Sequence, residues 1–132
     1  MLLALATVGC GSNDNGANVD GVIDLSGGVT QDQADGAMAA LCGIAEGRVT
    51  AFDEIQADFN NRAHETLHHI AAAAQERDPA SAGALLETKS VVESDLEQGE
   101  PPAEIAEHAT ALAEATAAAI GAIGLEAEAC SA

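Results

Sequence analysis

The sequence predicts an all-α protein: a small antiparallel bundle of three to four alanine-rich helices behind a disordered N-terminal tether. Three observations predict it. Alanine, the best helix former and a poor strand former, occurs 31 times in 132 residues. From Phe52 to Ala74 apolar residues step by three or four, the period of one helical face. Asp78-Pro79 and Glu100-Pro101-Pro102 supply the punctuation at which helices stop and start. With two Phe and no Trp or Tyr, any core is built from small side chains, and 132 residues suit one compact domain. The charge balance narrows function as well. There are 22 Asp and Glu against 4 Lys and Arg, a net −18, which excludes a nucleic-acid binder or a basic membrane-surface helix, since both need clustered Lys and Arg.

Residues 10–30 read as a flexible tether, rich in Gly, Asn, Asp and Ser, with too few apolar residues to offset the entropy of ordering. A calcium-loop reading fails there, because aligning Gly16 or Gly21 with the loop glycine puts Gly11 or Gly16 where the first Asp ligand belongs. The helical domain spans 31–132. Its first helix opens with a capping box, Thr30 with Gln33, and carries Met38, Leu41 and Ala45 inward. Gly43 and Gly47 weaken that helix, and Thr50 with Asp53 offers a second capping box, so a break is placed near Gly47. The next helix carries the stripe Phe52, Ile55, Phe59, Ala63, Leu67, Ile70 and Ala74 and ends at Asp78-Pro79. A third starts near Pro79 to Ser81, turns Leu85, Leu86, Val92 and Leu96 inward, and stops near Gly99. The fourth runs from about Ala103 to Glu128 with Ile105, Leu112, Ile120 and Ile123 on one face.

Histidine is the one concentrated chemical signal. His64 and His68 are four apart, so on a helix they differ by about 40° in azimuth and both imidazoles can reach one ion. His69 points elsewhere. A hairpin turning at Asp78-Pro79 brings Glu93 to the level of His64, completing an N and O donor set suited to Zn(II) or Cu(II). The plainer reading is that these histidines cover an apolar seam or bond a nearby carboxylate. The His-Glu-x-x-His protease pattern does not occur, and His108 reads as a boundary residue too far along the bundle to be more than a weak third ligand. Lys89, the one lysine, projects into the Leu85, Val92 and Leu96 face, which predicts a snorkelling stem whose ammonium pairs with an acid on an adjacent helix, the alternative being a buried amine available for chemistry. No Gly-rich phosphate loop, Gly-x-Ser-x-Gly or Cys-x-x-Cys occurs, so no reaction is indicated.

Residues 1–9 are uncharged and mostly apolar and end in Thr7-Val8-Gly9-Cys10, before the polar run Gly11-Ser12-Asn13-Asp14-Asn15-Gly16. This segment resembles the lipobox of bacterial lipoproteins. The resemblance implies that 1–9 is a signal peptide, that Cys10 carries a diacylglycerol and becomes the mature first residue, and that the domain sits outside the cytoplasm on a lipid anchor. No window approaches the roughly 20 apolar residues that span a bilayer. Export and lipidation leave two cysteines, Cys42 and Cys130, and an even remainder in an oxidising compartment implies a disulfide. That pairing conflicts with the simplest register. In an up-down bundle with a fourth helix reaching Glu128, Cys130 lies at the opposite end from Cys42; a break at Asn60-Asn61 would bring them together, but the stripe runs unbroken through it.

The functional expectation is a non-catalytic binding or structural module, lipid-anchored at the cell envelope, with an envelope protein as partner and no nucleic acid. The alternative is a metal-binding protein of copper or zinc handling that uses His64, His68 and Glu93.

Overall fold

The computed structural model describes residues 26–130, so the segment expected to be a signal peptide, Cys10 and the expected tether as far as residue 25 lie outside the described residues. Every regular element among the described residues is helical, and these helices share one core. Helix α1 spans Gln31–Ala45. Its capping box forms as the sequence requires: Gln33 N–H donates to Thr30 Oγ1 at 3.1 Å, and Gln33 Oε1 accepts from Thr30 N–H at 3.0 Å. Glu46 caps its far end, and Gly47 turns the chain at a left-handed φ of 78°. Helix α2, Phe52–Asp58, starts without the expected Thr50 cap. Its N-cap is Ala51, one residue further on, and that position makes no side-chain capping bond.

Between α2 and α3 (His64–Gln75) the helix does not break at Asn60-Asn61. It widens there into a π-helical turn over Phe59–Ala63. The stripe explains why. From Ile55 through Phe59 and Ala63 to Leu67 it takes three consecutive steps of four, and each step overshoots a regular turn by about 40°. A regular helix would carry Leu67 about 120° away from Ile55; the wide turn absorbs one extra residue and returns it to the core. Ile55, Phe59, Ala63, Leu67 and Ile70 are all buried.

Helix α4, Pro79–Gln98, is capped by Asp78, whose Oδ1 accepts from Ser81 N–H at 3.3 Å and whose Oδ2 accepts from Ser81 Oγ at 2.7 Å. It ends at Gly99 with a left-handed φ of 70°. Leu85, Val92 and Leu96 face inward as expected, but Leu86 is 42% exposed. It lies about 100° around the helix from the fully buried Leu85, off the core stripe. Helix α5, Pro102–Ala122, buries Ile105, Leu112 and Ile120.

Helix α5 stops short of the expected Glu128. Gly124 takes a left-handed φ of 84°, and Leu125 N–H returns to the Ile120 carbonyl at 3.1 Å, the closure that a glycine beyond a helix end permits. The chain then runs back beside α1. Gln31 at the start of α1 donates Nε2 to the Glu126 carbonyl at 2.7 Å and accepts from Glu126 N–H at 3.0 Å. Cys130 is bonded to Cys42 near the other end of α1. The returning segment removes the conflict between bridge and register: α5 does end far from Cys42, and a non-helical stretch covers the distance.

Helix α5 packs against α1 and α4, and α3 packs against α4. Ala34, Ala37, Ala40, Ala109 and Ala119 are at most 1% exposed, so the backbones of α1 and α5 approach closely. Each fully buried Leu, Ile or Phe contributes about 1.5–3 kcal/mol of apolar burial, and an alanine contributes well under that. Among the described residues no helix is long and apolar enough to cross a membrane.

Candidate functional site

Two histidines meet carboxylates on opposite flanks of α4. Glu93 and Asp95 are two residues apart, about 200° around the helix, so one faces α3 and the other α5. His64 reaches Glu93, each fourteen residues from the turn pair Asp78-Pro79. His108 reaches Asp95, seven and six residues from Pro101. Both contacts follow from helical hairpins in which residues equidistant from the turn share a level.

On the α3 side, His64 Nδ1 stands 3.0 Å from Glu93 Oε2. The approach lacks hydrogen-bond alignment, and this buried nitrogen has no hydrogen-bond partner. The His64 ring lies edge-on to His68 at 4.8 Å between centroids and edge-on to Phe59 at 6.1 Å. The same Glu93 oxygen accepts from Lys89 Nζ at 2.5 Å. Lys89 is 4% exposed, and its acid is on its own helix, four residues on, where the sequence reading places it on an adjacent one. Its ammonium therefore neutralises the carboxylate that faces His64. Partial loss of hydration, then the Lys89 ammonium and His64, hold His68 below its ordinary imidazole value, against the opposing pull of Glu93. His69 is exposed. A surface cavity of 340 Å³ borders His64 and Glu93, with Gln56 and Asn60 among its walls. Of the sequence-derived ligand set, the structure brings His64 to Glu93 and His68 to His64, with a resident cation beside them.

On the α5 side, His108 Nδ1 is 2.6 Å from Asp95 Oδ2. Asp95 is buried at 6% exposure. The hydrogen bond to Asp95, reinforced by the charges of Asp95, Glu104 and Glu107, raises the His108 pKa despite partial burial. One ligating atom each from Asp95, Glu104 and His108 lie within 4.8 Å of one another. The sequence reading takes His108 as a boundary residue and passes over Asp95. The hairpin arithmetic that pairs Glu93 with His64, applied at Pro101, pairs Asp95 with His108.

Cys42, Cys130 and Glu46 also cluster, but both sulfurs are in the disulfide and offer no thiolate. That bridge borders a groove of 690 Å³ between α1 and the returning segment, with Gln31, Asp35, Met38, Arg48, Glu126 and Glu128 among its walls. Arg48 pairs with Glu46 at the edge of this groove. No protein-family model, curated protein or solved structure significantly matches the chain.

Proposed function

We propose that this chain is an exported helical module held at a bacterial cell envelope by lipid on Cys10, an antiparallel bundle that binds a partner protein and carries out no reaction. The observation that supports this reading is the Cys42–Cys130 disulfide. A bridge closing an 88-residue separation in a core poor in large side chains belongs to an oxidising compartment, where it is worth about 4–5 kcal/mol in the chain-entropy account. It also fixes one wall of the 690 Å³ groove, a concave surface of the size that ligand sites take.

Intact mass of the native protein from a membrane fraction, with and without reduction, tests the reading. A species beginning at Cys10 with added lipid and two daltons lighter before reduction is expected. Cys10→Ser is expected to leave the protein unprocessed and out of the membrane fraction. An unlipidated chain whose location is unchanged by Cys10→Ser overturns the anchor, and a chain carrying free thiols overturns the compartment.

A second reading, metal binding through His64, His68 and Glu93 with Zn(II) or Cu(II), draws on one feature: the buried His64 Nδ1, without a hydrogen bond and 3.0 Å from a carboxylate oxygen. Lys89 weighs against it, since its ammonium and a dication compete for the same Glu93 oxygen. His64→Ala and His68→Ala each reduce the number of ions bound in high salt by one if this reading holds, and leave that number unchanged if it does not.

A further inference from the structure

We propose that Asp95, Glu104 and His108 form a binding site for a divalent transition ion of the zinc and copper class, at the closed end of the α4–α5 hairpin. This inference is independent of the reading placed on His64 and His68, and it uses the opposite face of α4.

The donors are one imidazole nitrogen and two carboxylate oxygens, the mixed set that Zn(II) and Cu(II) accept. Their ligating atoms already lie within 4.8 Å of one another. Bonds of about 2.0–2.2 Å to a common ion require closing that separation by roughly an ångström. Glu104 is exposed and on the first turn of α5, so its side chain rotates at little cost. The 2.6 Å between His108 and Asp95 opens as the ion replaces the proton they share.

The electrostatics of the place favour a cation. Asp95 is more than nine-tenths buried, and among the described residues the one side chain bonded to it is His108, through Oδ2. It stands in the last turn of α4, at the negative end of the helix dipole. Glu104 and Glu107 add their own fields at His108. The basic side chains with ion pairs serve elsewhere: Lys89 pairs with Glu93, Arg62 with Asp58 and Arg48 with Glu46. A dication supplies what those side chains do not.

The scaffold is set before any ligand arrives. Gly99 in its left-handed conformation and Pro101-Pro102 fix a short turn, and Glu100 N–H bonds to the Asp95 carbonyl at 3.0 Å. Ligands on the two arms of such a hairpin are held by helices, which position a metal site better than loops do. Three protein donors leave coordination positions for water or for a partner's side chain.

Titration calorimetry of the full chain with Zn(II), in high salt to suppress diffuse binding to the acidic surface, tests the proposal. One ion per chain is expected. His108→Ala and Asp95→Asn should weaken binding about 10- to 100-fold or more, the scale on which a metal site responds even to losses around its ligands. His64→Ala combined with His68→Ala should leave it intact. Glu104→Gln, on an exposed side chain that does not threaten folding, should weaken it severalfold. Histidine NMR on the wild type provides a readout free of mutation, with His108 resonances moving on Zn(II) addition before those of His64, His68 and His69. A folded His108→Ala with wild-type affinity, stoichiometric binding lost in the His64→Ala and His68→Ala pair, binding that collapses in high salt, or Zn(II) that shifts only His64 and His68 each overturns it.

Discussion

Glu93 and Asp95 stand two residues apart on α4, and each meets a histidine from a neighbouring helix, yet their surroundings differ in one component. Four residues before Glu93 stands Lys89, buried, with its ammonium on the carboxylate. Four residues before Asp95 stands Val91, 40% exposed and without charge. On the α3 side the cation comes from the helix itself, and the imidazoles pack as rings against Phe59 and one another. On the α5 side the histidine is the counter-charge, held as such by a 2.6 Å bond to a buried acid. The same pair of residue types is thus packing in one place and electrostatics in the other, and the i−4 position on α4 decides which.

The largest expected effect separates the two histidines by stability. His108→Ala leaves a buried carboxylate without its partner and should cost about 1–2 kcal/mol, a value already reduced because His108 is a third exposed. His64→Ala should cost less than about 0.5 kcal/mol, since Glu93 retains Lys89. Urea denaturation of both variants at one pH, with a chelator present, makes the comparison, and equal losses would break it. Lys89→Met attacks the difference at its source. Methionine keeps the buried stem, so stability should change by no more than about 1 kcal/mol. Histidine NMR should then find the His68 pKa raised, because the Lys89 ammonium is one of the charges that lower it. A His68 titration unmoved by Lys89→Met would show that the ammonium does not govern this side.

Much of this was legible in the residues. Thr30 with Gln33, Asp78 before Pro79, and Gly99 before the proline pair mark helix ends by local chemistry, and each acts where it stands. Local chemistry misled where two signals competed. The alanine run favours continuing α5, but Gly124 ends the helix and sends the chain back toward Cys42. Asp95 was illegible as a site residue because one carboxylate among 22 acids has no signature; only the hairpin register gives it one. The stripe passes for one regular face, and only its three successive steps of four, a count that no regular helix keeps on one face, mark the π turn in retrospect. Deleting Asn61 leaves Leu67 eleven residues on from Ile55, close to three regular turns, so both remain on the core face. The deletion should convert the π turn to α-helix and change stability by no more than about 1 kcal/mol, at most about 8 °C in Tm. Thermal unfolding followed by circular dichroism checks it, and loss of the folded state would show that the turn does more than correct the register.

The smallest expected effect is the most specific to the comparison, because the two sides respond to pH with opposite sign. The native state holds the His108 proton above 6.5, the unperturbed value. Its contribution is therefore complete below pH 6.5 and is lost as the pH rises through the raised native value. His68 is shifted the other way from 6.5. Its contribution is present above pH 6.5 and is lost as the pH falls through the lowered native value. With a chelator present to keep the chain metal-free, His108→Ala should flatten the alkaline side of a plot of denaturation midpoint against pH, and His68→Ala should flatten the acid side. Both histidines are partly solvated, so each change in slope is small and is read by overlaying the variant on the wild type. A His108→Ala curve parallel to the wild type above pH 6.5 would mean that the Asp95 bond does not discriminate between the protonation states of His108. The counter-charge role of that imidazole would fall with it.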